Sequence, residues 1–295
     1  MKLHPMHPAI CVLDELTAQG WRTHDLLAFT RASTLVLASH GHDEPVVVKA
    51  GFGSNHVLAA MDTRDRAAAY GFYWYQQMSA DEWGLARDDF RHERDLAREC
   101  LGAARIVPVL DEGTCGEFDW YAMPYYPGGN MRALLTENPT PVSVARRLSI
   151  LADVGDGLDE LHRRGIVHRD VYQENVLVDE TGSGVITDLG AARRTSEPRG
   201  PRHRGPEIHW PPEYADSYAE AAPAADVYSL AVLAYRTLFA DLPRLDGPRH
   251  HPGLSTTTTD HLTAALASDP SDRPTMSHLR ASLRAAAAAA AATTP

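Results

Sequence analysis

The hydrophobic pattern of this chain changes near residue 130, and that change constrains the fold more than any other feature. Before it, short β-type runs at residues 33–39 and 45–50 flank a segment of turn composition, which predicts a hairpin. After it, apolar residues recur at helical spacing, and residues 226–239 are apolar nearly all round, as in a buried helix. The pattern therefore predicts an α+β fold, with a small β-rich N-terminal lobe and a larger helical C-terminal lobe.

Local signals place further elements along the chain. Residues 88–101 have helical spacing and predict one main helix in the small lobe. Residues 104–110 and 117–123 are typical of two more strands. The pair Thr140–Pro141 is a suitable start for a long amphipathic helix, and Gly165 is a suitable stop.

Breaks in composition indicate where these parts begin and end. The Pro-Gly-Gly run at residues 127–129 marks the join between the two lobes. We assign an N-terminal extension, the small lobe, the large lobe and an alanine-rich tail, in that order, to residues 1–20, 21–123, 124–284 and 285–295. The alanines of residues 285–292 are expected to be the frayed end of a last helix, followed by a loose tail.

Charge and composition exclude several classes of function. The formal net charge is −11, which argues against DNA or RNA as a main partner because phosphate backbones attract basic surfaces. The chain has no N-terminal signal pattern and no run approaching the roughly 20 apolar residues that span a bilayer, so we expect no membrane partner. Its cysteines, Cys11, Cys100 and Cys115, are widely spaced without a C-x-x-C, which argues against disulfides and zinc and favours a reducing, cytoplasmic setting.

Lysine use is the most unusual feature of the composition. Of the 28 Lys and Arg residues only two, Lys2 and Lys49, are lysines. Lys49 lies in a β-branched run, and strand alternation places it on the same face as Val47. A lysine at this position needs a reason, because arginine supplies the positive charge elsewhere in the chain.

Two neighbouring segments carry the residues that are candidates for catalysis. The first is IVHRDVYQENVLV at Ile166–Val178, and the second is GVITDLGAARR at Gly184–Arg194. H-R-D, an Asn five residues later and D-x-G after a short hairpin resemble the catalytic core of protein kinases. On these motifs the chain is identified as a divergent member of the bacterial eukaryotic-like (Hanks-type) Ser/Thr protein kinase family. Further segments that resemble markers of that family are Trp210–Tyr214, Asp226–Leu230 and Asp269–Thr275.

The resemblance covers about residues 25–284 and implies a two-lobed protein-kinase-like fold with ATP and Mg²⁺ as cofactors. It implies that Asp170 accepts or orients the proton of the acceptor hydroxyl, and that Asn175 and Asp188 hold Mg²⁺. Lys49 is then a ligand of the α- and β-phosphates of ATP, since an ammonium on a thin stem fits a narrow site beside a sheet. The implied catalytic residues are Asp170, Lys49 and Asn175.

The same resemblance supplies Lys49 with a carboxylate partner on the helix of the small lobe. Glu93 matches the ion-pairing position, and Glu99 is the alternative. The interval of 44 positions between Lys49 and Glu93 is long, which indicates an insertion at about residues 52–85. The aromatic residues of this insertion either pack on the small lobe or dock a partner, such as a partner enzyme.

The segment YAMPYYPGG resembles the hinge that holds adenine in this family. Met123 stands at the gatekeeper place, Pro124 offers its C=O, and Tyr126 offers its N–H. Val47 would cover the base, with Val36 near it. The cofactor-binding residues that the resemblance implies are Val36, Val47, Lys49, Glu93, Met123, Pro124, Tyr126, Asn175 and Asp188.

Other markers imply regulatory or structural roles. Arg169 often meets a phosphate on the activation segment in this family, and residues 188–213 offer Thr195 and Ser196 as candidate sites. The pair Glu213–Arg273 resembles a buried structural ion pair of the large lobe.

The chain departs from the family pattern at three places. Residues 28–37, where a glycine-rich phosphate loop is expected, contain no glycine. Tyr172 and Gln173 stand where lysine and proline are usual, and Pro206 stands where relatives often place a threonine. These changes bear on the rate and on the kind of acceptor.

The residues support one main prediction and three alternatives. The main prediction is ATP·Mg-dependent phosphoryl transfer to Ser or Thr hydroxyls of a protein or peptide substrate. The alternatives are a kinase that phosphorylates a lanthipeptide-type precursor peptide before elimination, a pseudokinase that acts as a binding or allosteric module, and a small-molecule phosphotransferase of the aminoglycoside type.

Overall fold

The chain divides into two compact units in the computed structural model. The N-terminal unit comprises residues 1–101 and 108–125, and the C-terminal unit comprises residues 102–107 and 126–295. The structure describes residues 3, 7, 9–30, 33–41, 43–51, 79–115, 118–198, 200, 207–243, 251 and 253–293. The first unit is rich in strands and the second in helices, which confirms the predicted α+β class.

The N-terminal unit is built on a five-stranded sheet with the strand order β1-β2-β3-β5-β4. Each neighbouring pair is antiparallel. Its elements in chain order are α1 (Ala9–Ala18), β1 (Trp21–Phe29), β2 (Ser33–His40), β3 (Val46–Gly51), α2 (Ala80–Glu99), β4 (Asp111–Cys115) and β5 (Phe118–Pro124). The predicted hairpin is therefore β2 and β3, whereas α1 and β1 were not predicted.

The two faces of this sheet bury different residues because side chains alternate along each strand. One face packs against α1 and forms a hydrophobic core that includes Val36, Val48 and Trp120. The other face carries Lys49 and Tyr121 and packs against α2, where the ring of Phe90 lies over Gly51. A Cβ on Gly51 would lie 2.9 Å from that ring, so a glycine is needed where the helix approaches the strand.

Helix α2 begins earlier than the spacing predicted. Ser79 caps it with a capping box, in which its hydroxyl accepts from the N–H of Glu82 and the Glu82 carboxylate accepts from the N–H of Ser79. Residues 80–85, which we assigned to the insertion, are thus the first turns of this helix. The rest of the insertion, residues 52–78, and its predicted docking surface lie outside the described residues.

The C-terminal unit consists of helices around two short two-stranded sheets. The long helix α4 and the C-terminal helix α8 pack together with α6. The elements in chain order are α3 (Met131–Thr136), α4 (Val144–Arg163), β6 (Ile166–Val167), β7 (Val176–Val178), β8 (Gly184–Ile186), β9 (Arg193–Arg194), α5 (Tyr214–Ser217), α6 (Pro223–Phe239), α7 (Thr256–Ala265) and α8 (Met276–Ala292). The predicted long helix is α4, and the predicted buried helix is α6.

Two local predictions in and before α4 differ from the structure. The helix is capped by Ser143, whose hydroxyl accepts from the N–H of Arg146, and not by the pair Thr140–Pro141. Residues 104–110 form only an isolated bridge at Ile106, because Pro108 has no N–H with which to continue a ladder. Gly165, the predicted stop, has a φ of 71° just after the helix ends.

The alanine-rich end of the chain is helical and not loose up to Ala292. Alanine has the highest helix propensity, and the alanines on one side of α8 are buried, namely Ala286, Ala287 and Ala290. Residues 285–292, expected to be the frayed end of a last helix, are therefore a regular part of α8. Among the described helices, none combines the length and the apolar character needed to cross a bilayer.

Candidate active site

Lys49 forms a buried ion pair with Glu93 in the N-terminal unit. The distance between Lys49 Nζ and Glu93 Oε1 is 2.5 Å, and their side chains are 8% and 3% exposed. The hydroxyl of Tyr121 donates to the same carboxylate oxygen at 2.8 Å. Glu99, the alternative partner, lies in the last turn of α2 and is exposed. The ammonium of Lys49 is therefore positioned by a carboxylate that is itself held by a second hydrogen bond.

Helix α2 is anchored to strand β5 by a second charged cluster. The Asp119 carboxylate accepts from Arg87 at 2.9 Å, from Arg91 at 2.7 Å and from the hydroxyl of Thr114 at 2.8 Å. Burial alone would raise the pKa of Asp119, but hydrogen bonds from these three residues outweigh it and lower the pKa to about 2. Because Arg87 and Arg91 lie on the helix that carries Glu93, this cluster fixes the position of the ion pair.

The register of the strands shows which residues share the face of the sheet that carries Lys49. Lys49 is opposite Leu35 and Tyr121, and Val47 is opposite Leu37 and Met123. Val47 lies on the Lys49 face as predicted, and Met123 shares that face because directly opposed residues of neighbouring strands do so. Strand alternation gives Leu35 and Leu37 the same face.

Val36 lies on the opposite face of the sheet and does not cover the Val47 side. It is opposite Val48 and belongs to the core beneath α1. The choice of Val36 was wrong by one position, which in a strand turns a side chain to the other face. Leu37, opposite Val47, is the β2 residue that meets the predicted requirement.

The predicted hinge residues lie at the end of β5 and just beyond it. Pro124 ends the strand opposite Val46. Tyr126 is the first residue of the following segment of the C-terminal unit, where its C=O accepts from the N–H of Gly129 at 2.9 Å in a turn. Burial, together with the Asp179 carboxylate, raises the pKa of the Tyr126 phenol.

In the C-terminal unit, Asp226 organises the loop that carries the H-R-D sequence. Its carboxylate accepts from the backbone N–H groups of His168 and Arg169, each at 2.8 Å, and its Oδ2 also lies 2.8 Å from the His162 ring. Burial alone would raise the pKa of Asp226, but the interactions with His162 and His168 lower it. These bonds hold Arg169 at a φ of 67°, a left-handed conformation that costs energy for a residue other than glycine.

The buried His168 ring bridges this loop to the following hairpin. Its Nδ1 accepts from the N–H of Asp170 at 3.2 Å, and its Nε2 lies 3.2 Å from the C=O of Thr187. With Nδ1 as acceptor, the proton of the neutral ring is on Nε2 and is donated to Thr187. Burial lowers the pKa of His168, which keeps the ring in this neutral form.

Asp170 and Asn175 are joined by direct hydrogen bonds. The amide nitrogen of Asn175 donates to the Asp170 carboxylate and to its C=O, both at 2.9 Å. Asn175 begins the β7–β8 hairpin, and the N–H of Thr187 at the other end of the hairpin donates to its C=O at 3.1 Å. Asp188 follows Thr187 at a φ of 64° and accepts from the N–H of Gly190 at 3.2 Å. The hairpin thus brings the residues of the two predicted motifs to one end.

The donor set at this end of the hairpin fits a hard divalent cation. Because the Asn175 amide nitrogen is directed at Asp170, its Oδ1 oxygen faces away from that bond. Together with the Asp188 carboxylate this offers protein oxygens of the kind Mg²⁺ uses, while phosphates and water supply its other ligands. Within the described residues, no cluster of three or more His, Cys, Asp or Glu side chains could hold a metal by itself.

Arg169 of the H-R-D loop and Arg193 of the activation segment bind backbone carbonyl groups. Arg169 donates to the C=O of Ala191 at 2.6 Å and to that of Tyr218 at 2.9 Å, and its guanidinium lies 4.4 Å from the centre of the Tyr218 ring. Arg193 donates to the C=O of Ala221 at 2.8 Å and to that of Glu197 at 2.6 Å. Both arginine side chains are buried. The candidate phosphorylation sites Thr195 and Ser196 are exposed.

The sequence also predicted a structural ion pair, which the structure confirms. Both oxygens of Glu213 accept from the guanidinium of Arg273 at 2.7 Å, in a forked geometry. The side chain of Arg273 has no exposed surface.

Several residues that support the site were missed from the sequence. Tyr121 and Asp119 lie on the same face of β5 as Met123, and the period of two along that strand was the available signal. In the sequence Asp226 stands out only as part of a segment that resembles a family marker. Their roles depend on contacts with loops far away in the chain, which no local pattern reports.

A model of the protein kinase domain matches residues 54–283 of the chain. The match covers well over half of its length. The chain belongs to the protein kinase family. Its two units, its H-R-D loop and its D-x-G hairpin are therefore those of a protein kinase domain, as the resemblance implied.

Curated relatives are bacterial kinases. The probable serine/threonine-protein kinase pknA2 of Bifidobacterium longum is 32% identical over 157 residues, which are 52% of this chain and 20% of that protein. Serine/threonine-protein kinase PknI of Mycobacterium tuberculosis is 32% identical over 223 residues, 69% of this chain and 36% of the relative. Serine/threonine-protein kinase PknL of the same species is 33% identical over 197 residues, which are 65% of this chain and 47% of that relative. The chain thus matches less than half the length of each of these relatives.

Proposed function

We propose that this chain is a kinase that transfers the γ-phosphoryl group of ATP, with Mg²⁺, to Ser or Thr hydroxyls of a protein or peptide. The observation that carries the proposal is the hydrogen bond between Asn175 and Asp170, at the end of the hairpin that leads into Asp188. This hydrogen bond supports an arrangement in which Asp170 acts as the base and Asn175 and Asp188 bind the metal, all held in place before the substrate binds. Phosphoryl transfer requires such an arrangement. The relatives PknI and PknL, named as serine/threonine-protein kinases, support Ser/Thr as the acceptor class.

In this proposal each residue acts through the contact that positions it. Asp170 orients the acceptor hydroxyl and takes its proton, because Asn175 holds its carboxylate in one orientation. Asn175 and Asp188 would hold Mg²⁺, which when bound neutralises phosphate charge. Lys49 would bind the α- and β-phosphates, with Glu93 holding its ammonium in place.

The nucleotide base has proposed contacts as well. Val47 and Leu37 supply an apolar surface of β3 and β2 for the ring, and Met123 lines the same face. The C=O of Pro124 and the N–H of Tyr126 remain the proposed hydrogen-bonding groups for the base. None of these contacts requires a glycine-rich loop, although the absence of one bears on how tightly the phosphates are held.

Transfer of label from γ-labelled ATP tests the proposal. The protein is incubated with Mg²⁺ and, in separate reactions, with no acceptor, a generic Ser/Thr protein, a pool of Ser/Thr-rich peptides including lanthipeptide-type precursors, and an aminoglycoside. We expect label on Ser or Thr of a protein or peptide, reduced by about 100-fold or more in Asp170→Asn and in Lys49→Arg. Asp216→Asn, which changes an exposed carboxylate on α5, is the matched control and should label as the wild type does.

The other outcomes separate the alternatives. Label on the aminoglycoside alone would indicate a small-molecule phosphotransferase, and label on precursor peptides alone would indicate the peptide-modifying enzyme. No label on any acceptor, together with Mg²⁺-dependent ATP binding, would overturn the proposal in favour of a pseudokinase.

A further inference from the structure

A buried aspartate of helix α4, Asp153, takes no part in the roles proposed above. Its side chain is 2% exposed. One of its carboxylate oxygens, Oδ2, accepts from the backbone N–H of Gly184 at 3.0 Å. Gly184 is the first residue of β8, the strand that leads into Asp188. Because a bond from a carboxylate to an N–H is stronger than a bond between neutral groups, it fixes the start of this strand on the helix.

The other oxygen of Asp153 binds the C-terminal helix. Oδ1 accepts from the Arg284 guanidinium of α8 at 2.9 Å and lies 3.5 Å from the guanidinium of Arg105. A buried carboxylate without a positive partner is costly, so these two arginines allow a charged group at this position. Asp153 thereby joins three parts of the C-terminal unit that are far apart in the chain, namely α8, the segment at residue 105 and the β7–β8 hairpin.

Glycines bring these parts close enough for one short side chain to reach them. A Cβ on Gly184 would lie 2.9 Å from the C=O of Ile150 in α4. A Cβ on Gly155 of α4 would lie 2.5 Å from the Cβ of Arg280 in α8. Larger residues at these two positions would push the strand and α8 away from α4. The contacts of Asp153 therefore belong to a tightly packed junction.

The strand that Asp153 holds ends at the proposed metal-binding residues. Gly184 pairs with Val178 in the β7–β8 hairpin, and at the opposite end the N–H of Thr187 donates to the C=O of Asn175 at 3.1 Å. Strand β8 has only three residues, so few hydrogen bonds separate its start from Asp188. A displacement at the start of this short strand would therefore also move the end that carries the predicted Mg²⁺ ligands.

The other edge of β8 is tied to the same carboxylate. The N–H of Ile186 donates to the C=O of Arg105 at 2.9 Å, and the C=O of Ile186 accepts from the N–H of Val107 at 2.9 Å. The Arg105 side chain approaches Asp153 and also lies 3.7 Å from the Asp179 carboxylate at the turn of the hairpin. Asp153 thus fixes β8 directly and also through the segment that pairs with it.

We propose that Asp153 and Arg284 are positioning residues for phosphoryl transfer, through which the C-terminal helix holds the β7–β8 hairpin with Asn175 and Asp188 in place for Mg²⁺. This inference rests on the proposed function. Arg284 orients the Asp153 carboxylate, and the carboxylate holds the start of β8. Helix α8, which contains none of the predicted site residues, is then part of the support of the metal-binding end of the hairpin.

The Mg²⁺ dependence of Arg284→Met tests the proposal, because Arg284 is exposed and its replacement leaves the core intact. We expect the Mg²⁺ concentration for half-maximal label transfer to rise about 3- to 10-fold, with the KM for ATP at saturating Mg²⁺ unchanged. Arg284→Lys keeps the charge and should restore most of the wild-type value. In an Asp153→Asn background, Arg284→Met should have no further effect, since the two residues act as one unit.

Arg280→Met is the matched control on the same helix. Arg280 binds Asp156 at 2.6 Å and Asp159 at 3.2 Å, and Arg284 also binds Asp156 at 2.5 Å. Both variants therefore remove a bond between α8 and Asp156, but Arg284→Met also removes the bond to Asp153. Arg280→Met should keep the Mg²⁺ requirement of the wild type.

Amide hydrogen exchange in the hairpin gives a second measurement that needs no activity. The amide of Gly184 is bonded to Asp153 and that of Thr187 closes the hairpin at its other end. Exchange at both amides should be faster in Arg284→Met than in the wild type, because the hairpin opens more often once its anchor is weakened. Exchange in Arg280→Met should match that of the wild type.

The outcomes separate this inference from the proposed function. An active wild type with no shift in the Mg²⁺ requirement of Arg284→Met, or with an equal shift in Arg280→Met, would overturn the inference and leave the kinase proposal intact. Faster exchange without a change in Mg²⁺ dependence would assign the pair to stability alone and also overturn it. A wild type that labels no acceptor would overturn both proposals.

Discussion

At the scale of single residues, the site depends on charges that are buried and paired. Lys49 and Glu93 bond to each other with almost no exposed surface, and Tyr121 completes the group. A buried charge without its partner is costly, because neither water nor a counter-charge compensates it. The pair is therefore a point at which one substitution affects both folding and function.

Glu93→Gln should be strongly destabilising as well as inactivating. It removes the charge that compensates the Lys49 ammonium, and we expect the free energy of unfolding to fall by about 3 kcal/mol. Urea unfolding of the variant measures this directly. Glu99→Gln on the exposed end of the same helix should change stability by less than about 0.5 kcal/mol, and an equal loss in both variants would contradict the expectation.

The Asp119 cluster should make the stability of the N-terminal unit depend on acid pH. The pKa of Asp119 in the folded protein is about 2, against an ordinary value of 3.8. A carboxyl with a lowered pKa contributes stability that is present above its unfolded pKa and is lost as the pH falls through its folded pKa. Stability should therefore decline by roughly 1 to 2 kcal/mol between about pH 4 and pH 2 on account of this group.

Unfolding of Asp119→Asn across the same pH range isolates that contribution. Near pH 7 the variant should be less stable than the wild type, and the difference should shrink as the pH approaches 2. Asp111→Asn, at an exposed position on β4, is the matched control and should leave the pH dependence of the wild type unchanged. A constant difference between Asp119→Asn and the wild type at every pH would show that the carboxylate charge does not carry the effect.

At the scale of elements, neighbouring residues of β2 should separate nucleotide binding from stability. Leu37 lies on the Val47 face and is half-buried, whereas Val36 lies in the core beneath α1 with no exposed surface. Leu37→Ala should raise the KM for ATP about 5- to 10-fold through lost apolar contact with the base. Val36→Ala should leave that KM unchanged and lower the free energy of unfolding by about 2 kcal/mol because it leaves a cavity.

The two variants control for each other because they change neighbouring residues of one strand. Steady-state kinetics gives the KM for ATP, and urea unfolding gives the free energy of unfolding. If Val36→Ala were the variant that weakens ATP binding, the assignment of the two strand faces to core and nucleotide would be wrong.

The activation segment should retain its function without a phosphate. Arg169 and Arg193 are buried and already donate to the carbonyl groups of residues 191, 197, 218 and 221. Gly200 adds a backbone hydrogen bond to the C=O of Ala219 at 3.0 Å. The variant with Thr195→Ala and Ser196→Ala should therefore keep kcat/KM within about twofold, since most of the guanidinium donors that a phosphate would need already bind carbonyl groups, and Arg193 Nε, which has no partner among the described residues, is buried.

Arg193→Ala provides the contrast in the same kinetic assay. It removes two of these carbonyl contacts, and we expect a loss of about 10-fold or more in kcat/KM. A large loss in the Thr195 and Ser196 double variant, restored by acidic residues at the same positions, would instead show that phosphorylation controls the segment.

At the scale of the whole molecule, the chain is a protein kinase domain made of two units with separate cores. The core of the N-terminal unit lies between α1 and the sheet, and that of the C-terminal unit is built around α4, α6 and α8. Periodicity predicted the larger elements of both cores because each is long enough to repeat its pattern several times. Strand β1 was missed because its side chains do not alternate cleanly, and it has two irregularities in its pairing with β2. Helix α1 buries Ala9, Val12 and Leu16 at helical spacing, but with ten residues it repeats that pattern only briefly.

The sequence by itself determined the fold class, the family and the position of each motif. Asp170, Asn175, Asp188 and Lys49 could be found because the chemistry of phosphoryl transfer restricts residue type and order. The tertiary structure alone decided which residues of β2 share the face of the sheet that carries Lys49. It also decided that the carboxylate beside Lys49 is Glu93 and that Arg169 binds carbonyl groups. These properties depend on strand register, helix placement and the path of a distant loop, and the free energies that select among them come from contacts between residues far apart in the chain.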